Sequence, residues 1–537
     1  MRISSLFLLH LLLVVNGWCQ PGDSANHAGA HDSEEKLGTV SFPTSCSAEV
    51  QKKFERGVAL VHSFEYAKAD IQFQEVAAAD PSCAMAYWGQ GMSLFHPMSD
   101  RPTSQDLKDG RHLVQQALRT GAKSQRERDY IGALSVFYQD YAMRSHDKRV
   151  AAYAAAMEKV YRRYPDDHEA AIFYALSLLA AAYFDESLKN EKAAIDILTP
   201  LLNGLPDHPG VAHYLIHGAD SPQYAKLGLE AARRYAGIAP SSPHAVHMPS
   251  HIFARLGLWQ DDIRSNLAAV EAARKPDGKF RIGPHQLHSM DFLEYAYLQT
   301  GDDRKAKAIV DQVLATGPED VDDSENGYFH NALCAFPALY ALETRRWKEA
   351  LALQAPADVE PFDKAITYWA HAVAAGRLHD RTAALAALKQ YNAMTRLTRK
   401  SSLAYYATSL QNGHDQALAW LAFAQGKNQE ALRRLRSVAD DQDTVGKGEV
   451  ELPAREMLAD MLLEMNRPED ALVEYEKSLQ TDPNRFNGLY GAARAAEQAR
   501  QPEKAAGFYA QLLKNCDGTA DSGRPELARA RNLPMQK

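Results

Sequence analysis

Histidine spacing is the main chemical signal in this sequence. His213 and His217 are four residues apart, as are His247 and His251, and the two pairs are offset by 34 residues. Residues i and i+4 of a helix share one face. Neighbouring packed helices lie about 8–10 Å apart, so imidazoles on two adjacent helices can reach one space. His288 and Asp291 follow downstream on a third expected helix. Imidazole and carboxylate grouped in this way bind zinc, copper, iron or nickel. The same groups transfer protons near neutral pH. Two other uses of the histidines stay open: a polar groove for a peptide or anion, and a purely structural network. His208, His244 and His285 stand near expected helix starts, where capping or turn roles account for them.

Other chemistries find no support. There is no H-E-x-x-H, no Cys/His finger and no C-x-x-C. A G-x-S-x-G elbow, a phosphate-cradling Gly-rich loop and G-x-G-x-x-G are also missing. These absences argue against α/β-hydrolase chemistry, phosphoryl transfer and nucleotide use. The formal charge is −8 with no Lys/Arg block, which gives no electrostatic footprint for nucleic acid.

The elements that must position the histidines are helical. Apolar residues recur at i, i+3 and i+4, and period-2 alternation is absent. With 537 residues, the chain exceeds the roughly 250–300 residues at which a single core stops growing. A repeat solves that problem. Ala69-x3-Phe73 is followed by Asp80-Pro81, and Ala471-x3-Tyr475 by Asp482-Pro483. Ala505-x3-Tyr509 comes 34 residues after the Ala471 pair, and Pro206 and Pro240 are also 34 apart. A small residue lets two helices approach, the aromatic fills the gap, and proline ends the pair. This pattern resembles the tetratricopeptide repeat. The expected fold is therefore all-α, a right-handed solenoid of roughly ten to twelve stacked helix pairs.

In that resemblance the inner helix presents its second, fifth, ninth, twelfth and thirteenth positions to a concave groove. His213 and His217 take the fifth and ninth positions of one repeat, and His247 and His251 those of the next. His288, Asp291 and Tyr295 take the second, fifth and ninth of a third. His62 and His96 fall at thirteenth positions, with Trp88 and Met92 between them, either as an aromatic pocket or as packing. Glu456 and Asp460 are expected to face Tyr490 and Arg494 across adjacent helices, as an inter-repeat ion pair or a carboxylate clamp.

Residues 1–19 read as a signal peptide: Arg2, then an apolar run from Leu6 to Val15, then small residues Gly17 and Cys19. A lipid anchor at Cys19 is the rival reading. Residues 20–46 read as a flexible leader. The array is expected over 47–440, with clean repeats and a capping helix over 441–537. No later segment is apolar enough to span a bilayer. Export to the periplasm or beyond permits a disulfide. Cys46 and Cys83 flank the first helix pair and are the expected partners.

Longer strings extend the resemblance. They are Asp80-Pro-Ser-Cys-Ala-Met-Ala-Tyr-Trp-Gly89, His247-Met-Pro-Ser-His-Ile-Phe-Ala-Arg-Leu-Gly257, Pro453-Ala-Arg-Glu-Met-Leu-Ala-Asp460 and Pro483-Asn-Arg-Phe-Asn-Gly-Leu-Tyr490. Together they look like a group of uncharacterised exported bacterial tetratricopeptide proteins. The resemblance implies a scaffold whose concave groove binds a protein or peptide. A metal-dependent enzyme using the central His/Asp cluster, with metal-activated water, is the alternative.

Overall fold

The computed structural model describes residues 35–532, apart from 99–100, 186, 274–281, 284–285, 323–325, 402–409, 446, 449, 518 and 520–522. The expected signal peptide, most of the leader, and His285 lie outside the described residues. Those described form an all-α array of helix pairs; the one bridge of extended chain joins Ile282 to Val321. Among them, no helix is long and apolar enough to cross a membrane.

The chain divides into two compact units. The described residues of the N-terminal unit run 35–220 and 224–252; those of the C-terminal unit are 221–223 and 253–532. This division replaces the expected boundary at residue 440. Loop composition near 436–450 had suggested that boundary, but helices on both sides of it share one core, from Ala338 to Ala530.

The repeat signals act as steric locks. Phe73 of the Tyr66–Ala79 helix is fully buried beside Ala69. Its ring sits where a Cβ on Gly57 or Gly89 would come within 2.7 Å or 2.4 Å. Glycine there lets the ring fill the space between neighbouring helices. Tyr475 does the same in the C-terminal unit, where a Cβ on Gly491 would lie 2.2 Å from its Cζ. Pro206 and Pro240 stand in the turns before the Pro209–Ala219 and Pro243–His247 helices. Ser124 and Glu127 close a reciprocal capping box at the start of Gln125–Tyr138.

The expected flexible leader needs correction where it is described. Residues 35–46 form neither helix nor strand, but several of them are buried. Phe42 is fully buried, with ring centroids 5.5 Å from Phe54, 5.6 Å from Trp88 and 5.0 Å from Tyr130. The Thr39 amide donates to the Asp207 carbonyl at 2.9 Å, and the Lys36 amide to Ser241 Oγ at 2.9 Å. Buried Leu37, Val40 and Phe42 outweigh the polar composition around them. A disulfide joins Cys46 to Cys83, with Cα atoms 4.8 Å apart; Cys334 and Cys516 are free and buried.

The lock predicts opposite effects for two glycines. Gly89→Ala drives a methyl into the Phe73 ring and lowers N-terminal-unit stability by about 1–3 kcal/mol. Gly132, within the Gln125–Tyr138 helix, has no atom within 4 Å of its Cβ direction. Gly132→Ala therefore raises stability by about 0.5–1 kcal/mol. Urea unfolding followed by circular dichroism measures both; equal losses would refute the lock.

Candidate functional site

The N-terminal unit buries a continuous histidine cluster. Pro209–Ala219 carries His213 and His217 one turn apart, and Pro209 at its start supplies a preset φ. The next inner helix is broken. Pro243–His247 ends at His247, and Pro249–Arg255 starts two residues later. Pro249 has no N–H to continue the ladder and its ring clashes with the preceding turn, so it splits the helix. His247 and His251, four residues apart across the break, have Nε2 atoms 3.1 Å apart.

Three imidazoles converge at one point. His213 Nε2 lies 3.0 Å from His244 Nε2 and 3.1 Å from His217 Nε2, and all three fall within 4.8 Å of one another. His213 Nδ1 is 2.6 Å from the His62 carbonyl oxygen. A carbonyl can only accept, so Nδ1 carries the hydrogen and Nε2 of the neutral ring offers a lone pair. His217 and His244 both aim at that single lone pair, and one N–H can satisfy only one such contact. A cation between the three nitrogens would satisfy them together. Tetrahedral zinc with Zn–N of about 2.0–2.1 Å places its ligand nitrogens about 3.3 Å apart, near the His213–His244 and His213–His217 distances. The Phe64 ring covers the group, with centroids 4.3 Å from His213, 5.5 Å from His217 and 5.4 Å from His244.

Carboxylates orient the surrounding rings. His251 Nδ1 donates to Asp220 Oδ2 at 2.9 Å, which leaves Nε2 as the lone-pair nitrogen facing His247. His251 also approaches His217, with ring centroids 6.5 Å apart. Deeper in the unit, Glu169 bridges His62 Nε2 at 3.0 Å and His208 Nε2 at 2.8 Å. Tyr214 Oη bonds the other nitrogen of His62 at 2.9 Å. Burial pushes the His62 pKa down, with the Glu169 charge and hydrogen bond opposing it. Burial also pushes Glu169 up, but the two imidazoles outweigh it and hold its carboxyl well below the usual range.

Several expectations change. The histidines do not line an open groove: His213, His247, His251 and His244 are buried and His217 is partly so. His244 belongs to the cluster rather than capping its helix; Ser242 does the capping, accepting from the Ala245 amide. His208 likewise makes no cap and binds Glu169. His62 is part of this buried network, not of an aromatic pocket. Trp88 is core, edge-on to Phe42 and Phe173, and His96 stacks on Tyr66 at 4.8 Å. Asp220 and Glu169 were missed, because a carboxylate next to a helix end or on another repeat has no spacing signal. His244-x2-His247-x3-His251 did carry one: i, i+3 and i+7 mark a single helical face.

The remaining candidates lie in the C-terminal unit. His288 and Asp291 share the Gln286–Gln299 helix, and His288 Nδ1 and Tyr328 Oη are in hydrogen-bond contact at 3.3 Å. Tyr295 is buried there against Arg485. The Glu456/Asp460 pair does not face Tyr490 and Arg494. Glu456 takes Arg485 at 2.9 Å, and Asp460 is held by Arg345, Arg377 and Tyr475. Arg494 instead pairs with Glu497 at 3.2 Å and donates to Tyr490 at 3.4 Å. Arg485 just before the Phe486–Gln498 helix, Arg345 in a turn and Arg377 at the end of Pro361–Arg377 take the acids instead. The arrangement is a buried ion network, not a clamp.

No protein-family model matches the chain, and no curated protein matches it. Solved structures share its helical-repeat build at low identity. The human IFIT1 dimer with m7Gppp-AAAA is 13% identical over 86% of this chain and 95% of that one, with a TM-score of 0.35. The P58(IPK) TPR domain is 14% identical over 90% and 98%, with a TM-score of 0.19. Naa15/Naa10 bound to HypK-THB is 11% identical over 86% and 62%, with a TM-score of 0.25. Likeness at this level carries no functional argument, so function must be argued from the site.

The Glu169 network sets an acid limit on stability. The unfolded chain protonates His62 near its usual 6.5, while the folded value is lower. That contribution is present above pH 6.5 and fades as pH falls toward the folded value. Glu169, whose folded pKa is depressed from 4.5, contributes above about 4.5 and is lost below it. Thermal midpoints should therefore drop in two stages on acidification. Glu169→Gln should remove the lower stage and cost about 3–5 kcal/mol at pH 7, because it breaks a buried charge-assisted network. A variant as stable as the parent would contradict this account.

Proposed function

We propose that this helical-repeat protein holds a transition metal in its N-terminal unit, with His213, His217 and His244 as ligands. One observation carries the reading: His213, His217 and His244 each bring a ring nitrogen within 4.8 Å of the others, and the His213 Nδ1 is committed to a carbonyl. Buried imidazoles so arranged favour zinc, copper or iron over oxygen-seeking magnesium or calcium. The His62 carbonyl supplies to His213 the kind of outer hydrogen bond that fixes ligand rings in metal sites. A three-histidine set leaves a fourth position for water, which a bound metal would acidify for hydrolysis. In that chemistry the neighbouring His247–His251–Asp220 chain would accept the proton, since the Asp220 carboxylate at 2.9 Å would stabilise a protonated His251.

We place the protein outside the cytoplasm. The Cys46–Cys83 disulfide supports an oxidising compartment, as does the apolar run near Arg2. A protein or peptide partner belongs to this reading as a substrate or anchor for the array. The buried histidines do not argue for an open peptide groove.

Metal analysis of protein purified without a histidine tag tests the proposal. About one equivalent of zinc, copper or iron should co-purify, and His244→Ala should lower its affinity by at least about tenfold. Binding should weaken below about pH 6, where protons compete for imidazole. Metal-free protein that neither binds added zinc nor gains thermal stability from it would overturn the proposal.

A further inference from the structure

The N-terminal unit buries a guanidinium that has no carboxylate partner among the described residues. Arg149, in the His146–Arg163 helix, is only 4% exposed. Its Nε and Nη1 are buried and make no hydrogen bond. Nη2 makes a long one, donating to His146 Nδ1 at 3.4 Å. The guanidinium carbon stands 4.7 Å from the centroid of the Phe137 ring. Taking a cation out of water is costly unless an anion accompanies it. Here the neighbours add to that cost. Burial pushes the Arg149 pKa down, and the Arg101 charge pushes it further. Tyr138 opposes them only when ionised, and burial keeps it a neutral phenol at pH 7.

His146 is a second donor at this place. Arginine can only donate, so His146 Nδ1 accepts and Nε2 carries the hydrogen. Burial, then Arg101 and Arg149, push the His146 pKa down to about 4, which leaves a neutral ring at pH 7. Asp147 opposes that shift, but it is exposed and hydrogen-bonded to Ser145. His146 also opens an 18-residue helix, and the dipole at a helix N-terminus favours negative charge. An aromatic surface adjoins these groups. Phe184 is 43% exposed. Its ring centroid lies 5.9 Å from that of His146 and 5.8 Å from the Arg101 guanidinium carbon.

We propose that Arg149 and His146 bind the carboxylate of a small aromatic acid whose ring packs on Phe184. Nε and Nη2 form one planar edge of the guanidinium, which takes both oxygens of a carboxylate. Two charge-assisted bonds then replace the long contact from Nη2 to His146, and the His146 Nε2–H donates beside them. A neutral ligand leaves the buried charge uncompensated, and an amine adds to it. The site lies wholly within the N-terminal unit and uses none of the proposed metal ligands.

Isothermal titration of the full-length chain with 3-phenylpropanoate tests the proposal, alongside 2-phenylethanol, 2-phenylethylamine and inorganic phosphate. The acid should bind saturably, the alcohol and phosphate at least about tenfold more weakly, and the amine not at all. Arg149→Met should abolish acid binding. Arg149→Lys keeps the charge but loses the fork, and should weaken the acid at least about tenfold. Phe184→Ser alters an exposed ring, so its loss of affinity is read in a folded protein. Thermal melts report whether each variant folds, and Arg149→Lys decides the matter if Arg149→Met does not. No acid binding, phosphate or alcohol binding as tight as the acid, or acid binding unchanged in Arg149→Lys would overturn the assignment.

Discussion

The His213 imidazole is held from both sides. Its Nδ1–H donates to the His62 carbonyl at 2.6 Å, a bond from the Pro209–Ala219 helix to the end of Ala48–His62. That bond fixes which nitrogen keeps its lone pair. It also fixes the ring plane, so Nε2 points where His217 and His244 also arrive. Were the ring free to turn, the three nitrogens would form an ordinary hydrogen-bonded chain. With the ring fixed, two neighbours compete for one acceptor, and the chemistry of a shared cation follows. Glu169 binds the side chain of the same His62 whose carbonyl anchors His213.

The scaffold sets this geometry by steric means. Aromatic rings lodged over glycines decide how closely neighbouring helices approach, as Phe73 does between Gly57 and Gly89. Pro249 then interrupts the inner helix within the His247–His251 segment. A repeat array otherwise places its inner residues at a regular spacing. His247 and His251, on either side of the break, still stand with Nε2 atoms 3.1 Å apart.

Much of the fold is legible in the sequence, because steric locks leave local marks. Ala69 with Phe73 and Ala471 with Tyr475 repeat the small residue and the aromatic four positions on, and each is buried. The site is legible only in part. The i, i+4 pairs His213/His217 and His247/His251 do share helix faces. The carboxylates Glu169 and Asp220 are invisible to spacing, since they arrive from other segments. His244 stands next to a capping serine, so its local role hid its tertiary one. The unit boundary was misread for the opposite reason: loop composition near residue 440 is a local mark, but the buried core runs across it. Glu456 and Asp460 show the same limit. Their helix face was legible, and their arginine partners, 29 residues away or more, were not.

X-ray absorption at the zinc edge of zinc-loaded protein tests the central claim most directly. The account predicts a nitrogen shell at about 2.0–2.1 Å, with the outer-shell scattering of at least three imidazoles. An oxygen-only shell, or scattering from a single imidazole, would contradict it.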